Sequence, residues 1–168
     1  IVFMVQGGSE GGNALADVLS GKVNFSGRLA DSWPMNYAQI PDGENYSSLN
    51  GDLENEYYTE GRYVGYRYFD SFGVAPRFPF GFGLSYTTFA QNVTEVTLDG
   101  KILAARVQVT NTGKVPGREV VQGYLHIPGS VAQSLTAFAN TPVLTAGESC
   151  ETTLTIDLDD NAVYHEEN

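Results

Sequence analysis

The chain has 168 residues, a length that suits one domain, two small domains or part of a larger protein. Asp and Glu outnumber Lys and Arg by 20 to 9, and the net charge of −11 argues against binding to nucleic acid or to an anionic membrane surface. With 42% hydrophobic residues and no apolar run near the roughly 20 residues of a spanning helix, the sequence excludes disorder and a transmembrane segment.

The first predicted element is a strand over residues 1–6, which are apolar on both faces, as in a central strand of a parallel sheet. A glycine-rich turn follows at residues 7–12, and then a helix that Asn13 caps and Gly21 ends. Strand, turn and helix together are typical of the last unit of an α/β domain, here residues 1–30. Because the chain begins inside an apolar strand, we expect it to be a segment of a larger protein.

Residues 31–90 differ in character, with prolines, glycines and tyrosines interleaved among polar side chains. Residues 35–56 show no hydrophobic period and are interpreted as a surface loop. Residues 57–69 alternate enough to predict an extended strand or one arm of a hairpin. The whole region is interpreted as a linker and rim loop with one extended segment, because a loop of this length is usually functional.

From residue 91 onward the sequence alternates between apolar and polar residues, with turn-forming stretches between the alternating runs. The five predicted strands cover residues 93–98, 102–109, 120–127, 136–144 and 152–158. This spacing predicts an immunoglobulin-like sandwich, and the lone Cys150 excludes the inter-sheet disulfide of antibody domains. The predicted fold class is therefore an α/β fragment followed by an all-β fibronectin type III-like sandwich over residues 91–168.

Carboxylates are plentiful in the predicted loop, at Asp52, Glu54, Glu56 and Glu60. A glycosidase needs two carboxyls about 5 to 9.5 Å apart across a sugar ring, and such a pair could come from this loop. Nothing nearby in the sequence supplies the apolar pocket that raises a carboxyl pKa, so a solvated acidic loop is the favoured interpretation.

The sequence predicts no cofactor and no metal. The glycine cluster lacks a dinucleotide fingerprint, because Ser9 stands where the middle glycine is needed and Glu10 would repel a phosphate. Cys150 and the two histidines, His126 and His165, lack the spacing of a zinc site.

Several longer strings point to one family. They are GGNALADVLSGKVN at residues 11–24, SGRL at 26–29, GRYVGYRYFD at 61–70, FPFGFGLSYT at 78–87, VTNTG at 109–113 and GREVVQGY at 117–124. The first four closely resemble the C-terminal half of glycoside hydrolase family 3, the β-glucosidase family, and the last two resemble the fibronectin-type module of the same enzymes. The resemblance covers nearly the whole chain, although Phe25 stands where the family commonly has proline.

The resemblance implies a retaining glycosidase built from a barrel that carries an Asp nucleophile, an α/β sandwich that carries a Glu acid/base, and a fibronectin-like domain. Neither catalytic residue carries over to this chain, so no catalytic residue is predicted. Asp31-Ser32-Trp33 has the wrong order for the nucleophile motif, and Asp31 is interpreted as linker. Ser9 and Glu10 follow the carboxyl end of a predicted strand and are the candidates to bind substrate.

The implied function is to frame the cleft of an enzyme that acts on β-linked glucosides or short oligosaccharides. Its predicted partners are the carbohydrate substrate and the remaining domains of the same enzyme or a second copy. The resemblance also implies a further strand after residue 168. Unpaired strand edges at both ends would recruit other strands, so we expect the chain to be ordered only when paired.

An alternative of a different class is a non-catalytic carbohydrate-binding or interaction module. Such a module presents exposed aromatic platforms, and Trp33 with Tyr37, Tyr46, Tyr57 and Tyr58 could serve as these. The same side chains could instead pack between domains, so binding of an oligosaccharide, lost on replacing Trp33 or Tyr57 by Ala, would favour the module.

Overall fold

The computed structural model describes residues 2–128 and 133–161. This part of the chain is mainly β, with antiparallel pairing and few helices. Its helices are α1 (Gly11–Leu19) and α2 (Tyr66–Phe72), with short 3-10 turns at Tyr37–Gln39, Ser47–Asn50 and Asp159–Asn161. Its strands are β1 (Phe89–Asp99), β2 (Ile102–Asn111), β3 (Val120–Leu125), β4 (Ser134–Asn140) and β5 (Ser149–Asp157).

The chain divides into two compact units. The first unit contains the described residues of Ile1–Gly27, Leu84–Gly123 and Thr136–Asn168. The second unit contains those of Arg28–Gly83 and Tyr124–Leu135. The division into domains at residues 30 and 90 stays a prediction, because these two compact units do not test it.

The first unit contains a three-stranded antiparallel sheet of order β1-β2-β5, and β3 pairs with β4 in a second sheet. Alternation of side chains places Val107 and Val109 of β2 on the buried face, where Val109 lies opposite Cys150 of β5. The core is completed by Val121, Leu144 and Leu154. All five predicted strands are therefore present, with bounds shifted by a few residues.

Strand β4 ends earlier than predicted, at Asn140 rather than residue 144. Pro142 has no backbone N–H to donate to a ladder, so regular pairing stops there. Leu144 resumes contact through an isolated bridge, in which its N–H donates to the Gly117 carbonyl at 2.8 Å and its carbonyl accepts the Gly117 N–H at 3.1 Å. Leu144 thereby enters the core without belonging to a strand.

The predicted strand over residues 1–6 is wrong. Ile1 lies outside the described residues, and residues 2–6 pair with none of the described strands. Val5 has a positive φ of 51°, which a strand does not adopt, and the side chains of Val2, Phe3 and Val5 are more than half exposed. A strand that is apolar on both faces needs neighbours to cover it, and the described residues supply none.

Helix α1 is confirmed, but it begins before the predicted cap. Glu10 occupies the N-cap position, and Asn13 lies within the first turn with its amide donating to Glu10 Oε2 at 2.6 Å. Gly21 follows the end of the helix with a φ of 76°, and its N–H donates to the Val18 carbonyl at 3.0 Å. The predicted C-terminal stop is therefore correct.

The predicted extended segment over residues 57–69 is also wrong. Residues 57–65 form no regular element, and α2 begins at Tyr66. Glycines bound this helix, because Gly65 at its N-cap and Gly73 at its C-cap have φ values of 58° and 62°. The helix buries Phe69 and leaves Phe72 58% exposed, and burial in this run does not follow the alternation of a strand.

None of the helices in the described ranges has both the length and the apolar character to cross a membrane. Over those same ranges, the His, Cys, Asp and Glu side chains form no group of three or more that could hold a metal ion.

Candidate functional site

The second unit contains a cavity of about 470 Å³ whose lining residues all lie between Asp31 and Phe69. Its polar lining comes mainly from tyrosines and carboxylates, namely Tyr37, Tyr46, Tyr58, Asp31, Asp42, Glu56 and Glu60. Prolines and aliphatic side chains supply the rest, including Pro34, Pro41, Ile40 and Val64. The cavity combines aromatic surface with hydrogen-bond acceptors, the composition of a small-molecule site.

Asp42 ties together two of the chain segments that line the cavity. Its carboxylate accepts the backbone N–H of Thr59 at 3.0 Å and also accepts the side-chain amide of Asn45. The Thr59 N–H, followed by the Asn45 amide, lowers the pKa of the Asp42 carboxyl below its ordinary value. Asp42 is therefore a carboxylate at neutral pH and can only accept hydrogen bonds.

The Pro41-Asp42-Gly43 turn shapes the floor next to Tyr37. The Tyr37 hydroxyl donates to the Gly43 carbonyl at 2.7 Å. Gly43 is buried, and a Cβ at that position would lie 3.3 Å from both the Ile40 carbonyl oxygen and the Tyr37 ring. Only a residue without a side chain fits this turn comfortably, so the position of the Tyr37 ring depends on Gly43.

Glu60 and Glu56 line the same cavity but differ in their hydrogen bonds. Glu56 Oε1 accepts the backbone N–H of Ser47 at 2.8 Å. Glu60 Oε2 is buried and has no amide or hydroxyl donor among the described residues, and the Glu60 carboxyl lies next to that of Asp42. A buried acceptor without a donor is costly, so this oxygen marks the place where a donor from a ligand would be stabilising.

The other two predicted loop carboxylates do not line the cavity. Asp52 instead organises its own turn, where it accepts the backbone N–H groups of Glu54 and Asn55 and the Asn55 amide at 2.9 to 3.1 Å. These donors, led by the Glu54 N–H, lower the pKa of Asp52. Glu54 itself is exposed. The acidic loop is thus divided between residues that face the cavity and residues that hold the loop.

The string Asp31-Ser32-Trp33 forms a packed connection. Asp31 Oδ1 accepts the N–H of Ser32 at 2.7 Å, and the buried Ser32 Oγ accepts the N–H of Phe80 at 3.2 Å. Trp33 pairs with Phe78 in an isolated antiparallel bridge, and their rings meet edge to face at 6.0 Å. Trp33 is therefore engaged in packing and does not line the cavity.

Three of the four predicted platform tyrosines reach the cavity. Tyr37, Tyr46 and Tyr58 line it, whereas Tyr57 does not. Tyr57 lies beside the loop carboxylate Asp52, with 3.4 Å between their oxygens. Sequence reasoning missed Asp42 as a site residue. The turn sequence Pro41-Asp42-Gly43 is the signal that could have indicated it.

Ser9 and Glu10, the predicted substrate-binding residues, lie in the turn before α1, and both are exposed. The Glu10 carboxylate sits at the N-terminal end of the helix, where the helix dipole favours negative charge, and it accepts the Asn13 amide. The strand expected before them is not formed, which removes part of the reason for choosing them. Their role stays a prediction.

Three comparisons bear on what this chain is similar to. The family model described as the glycosyl hydrolase family 3 C-terminal domain matches residues 1–86. β-Glucosidase A of Butyrivibrio fibrisolvens is 40% identical over 98% of this chain, which covers 22% of that relative. The structure of β-glucosidase 3B from Thermotoga neapolitana in complex with glycerol superposes with a TM-score of 0.87 at 40% identity, over 94% of this chain and 23% of that one. The complex of the same enzyme with glucose gives 0.86 over 92% and 22%. This chain therefore spans about a fifth of the length of these relatives.

Proposed function

Because this chain belongs to the C-terminal domain family of glycosyl hydrolase family 3, we propose that it is part of a β-glucosidase-like retaining glycoside hydrolase. The enzyme acts on β-linked glucosides or short oligosaccharides, and this segment frames the cleft and supports the domains. The observation that carries the proposal is 40% identity to a β-glucosidase over 98% of the chain. The glucose and glycerol complexes of the Thermotoga neapolitana enzyme support a carbohydrate ligand.

The finer architecture belongs to the same proposal. Residues 1–30 are the end of an α/β sandwich domain, and α1 with its glycine turn supports this assignment. Residues 91–168 are a fibronectin type III-like β-sandwich. Support comes from two sheets whose side chains share one core, with Val109 from the first sheet and Val121 from the second.

The catalytic pair lies outside this chain. Retaining hydrolysis needs one carboxyl as nucleophile and a second as acid and base. The nearest string to the nucleophile motif, Asp31-Ser32-Trp33, is packed as a connection, with its carboxylate bonded to the next backbone N–H. The contribution of this segment is therefore to hold the cleft and its surroundings in place, and Ser9 and Glu10 are its candidates to touch substrate.

Aryl β-glucoside hydrolysis tests the proposal on two proteins. The longer protein that contains this segment should hydrolyse the substrate with retention of anomeric configuration, as seen by NMR of the first-formed sugar. The 168-residue chain should show no turnover above background, because removal of the nucleophile removes the covalent route. A longer protein without glycosidase activity would refute the function. Turnover by the chain that disappears in Asp31→Ala would refute the assignment of the catalytic pair elsewhere.

Ser9 and Glu10 need a separate measurement in the longer protein. Glu10→Gln removes the charge and keeps the size, and Asp17→Asn on the same helix is the matched control because its carboxylate pairs with Lys22 at 2.9 Å. If Glu10 touches substrate, kcat or KM of Glu10→Gln differs from the wild-type value, and both constants of the control equal the wild-type values. Unchanged constants in both variants would remove Glu10 from the site.

A further inference from the structure

We propose that the cavity between Asp31 and Phe69 binds the pyranose ring of a neutral sugar, with Tyr46 and Tyr58 against its apolar faces and Asp42 and Glu60 accepting its hydroxyl groups. This deepens the proposed function, because it names a binding place for a carbohydrate on the segment itself. The volume of about 470 Å³ falls within the range of small-molecule pockets.

The acceptors of the cavity call for a ligand rich in hydrogen-bond donors. Glu60 Oε2 is buried and has no donor among the described residues. Asp42 accepts from Thr59 and Asn45, and an ionised carboxylate has about four lone-pair positions, so acceptor capacity remains. Sugar hydroxyl groups supply donors at neighbouring positions around one ring, which matches the neighbouring carboxyl groups of Asp42 and Glu60.

The charge of the lining decides against an anionic ligand. Four carboxylates line the cavity, and the described lining residues include no Lys, Arg or His that could neutralise a phosphate or a carboxylate. A bare metal ion is disfavoured for another reason, since tyrosine rings, prolines and aliphatic side chains form much of the wall and offer no ligand to it. A neutral molecule with apolar faces and polar edges fits both parts of this lining.

The tyrosines are placed to provide the apolar contact. Tyr46 and Tyr58 are 69% and 79% exposed, so most of their surface is accessible to a ligand. Tyr37 differs, because its hydroxyl is held by the Gly43 carbonyl and its ring supports the wall. Aromatic rings that are apolar on the face and polar at the tip suit a ligand with the same division.

Titration of the 168-residue chain with cellobiose and with glucose, followed by calorimetry and by saturation-transfer NMR, tests the proposal. Binding is expected, and Tyr58→Ala and Glu60→Gln should each weaken it about tenfold. The matched controls are Tyr57→Ala and Glu54→Gln, which change neighbouring residues of the same types that do not line the cavity. These controls should bind as the wild type does.

Two further measurements separate binding from folding. Thermal unfolding of each variant shows whether the chain is intact, and Tyr58→Phe keeps the ring if Tyr58→Ala fails to fold. Tyr58→Phe should bind as the wild type does, with saturation transfer from the ring to the C–H protons of the sugar. No binding of either sugar by a folded chain, equal losses in the controls, or binding of free arginine in place of sugar would each overturn the proposal.

The result is independent of the enzyme assay. If the longer protein hydrolyses the substrate but the folded chain binds no sugar, sugar binding in the cavity is refuted and the glycosidase function is not. Sugar binding to the chain with no hydrolysis by the longer protein would refute the glycosidase function and leave the cavity as the site of a carbohydrate-binding module.

Discussion

Replacement of Asn111 by alanine should be among the most destabilising single changes in the first unit. The side chain is 0% exposed and makes four hydrogen bonds. Its Oδ1 accepts the Thr87 hydroxyl at 2.6 Å and the Gly113 N–H at 3.0 Å. Its Nδ2 donates to the Val115 and Leu144 carbonyls at 2.9 and 2.8 Å. One amide therefore joins the turn at residues 113–115 to Thr87 and to Leu144.

The magnitude follows from these four bonds. Each hydrogen bond of this kind contributes about 1 kcal/mol net, and a buried group left without a partner costs about 1–3 kcal/mol. The alanine variant leaves two donors and the Val115 carbonyl to find new partners inside the unit, while the Leu144 carbonyl keeps the Gly117 N–H. We expect the free energy of unfolding to fall by about 4 kcal/mol, which is large against the total stability of a domain.

Urea unfolding followed by tyrosine and tryptophan fluorescence measures this loss, with Asn92→Ala as the control. Asn92 is exposed on β1, so the control should change stability by less than about 0.5 kcal/mol. A loss in Asn111→Ala below about 1 kcal/mol, close to that of the control, would show that water or local rearrangement satisfies these groups and that the four bonds are not what holds the unit.

Asn111→Asp provides a second test of the same site through its pH dependence. The new carboxyl would be buried with an oxygen facing two carbonyls, so burial and repulsion raise its folded-state pKa above the unfolded value of about 3.9. The neutral acid is then favoured in the folded state. The deficit relative to wild type should be smallest below the unfolded pKa and should grow as pH rises through the folded pKa. A deficit that does not vary with pH would contradict the assigned geometry.

Two further predictions concern a glycine contact and an acid. Gly113→Ala would place a Cβ against the Thr87 hydroxyl and 2.9 Å from the Thr88 N, so urea unfolding should show a free energy of unfolding lower by about 2–3 kcal/mol. Its control, Gly12→Ala in α1, meets open space and should raise the free energy of unfolding by about 0.5–1 kcal/mol. Equal effects of the two variants would contradict the contact at Gly113. The Thr145 backbone N–H, then its hydroxyl, lowers the pKa of Glu148, so the stabilisation is present above the unfolded pKa and lost as pH falls through the folded one. Glu148→Gln should therefore lower the Tm at pH 7 and reduce its fall on acidification, and Tm curves that run parallel to wild type would refute this role.

The strands of the first unit could be predicted from the sequence because their signals are local. In β2 the alternation of apolar and polar residues, which buries Val107 and Val109, can be read directly from the sequence. The turn before it contains Asp99-Gly100, a local turn signal, and Gly100 adopts a φ of 59° there. The end of α1 at Gly21 follows from the same kind of signal. These features depend on backbone geometry and side-chain period over a few residues.

Other features needed contacts between distant residues. An apolar run such as residues 2–6 forms a strand only beside other strands, and the described chain provides no such neighbour. The aromatic run before Phe72 fits either a strand or a helix, and the burial of Phe69 between two glycine ends decides for the helix. Short apolar stretches carry too little periodicity to settle this alone.

The candidate site depended on tertiary structure in the same way. The sequence showed that tyrosines and carboxylates are frequent in the loop, but Tyr57 and Tyr58 are adjacent and only Tyr58 lines the cavity. Asp42 became a site residue because its carboxylate binds Thr59, which lies 17 positions away. Composition and period are properties of neighbouring residues, whereas a cavity is made by residues that the chain brings together from far apart, and only the folded chain decides which of them meet.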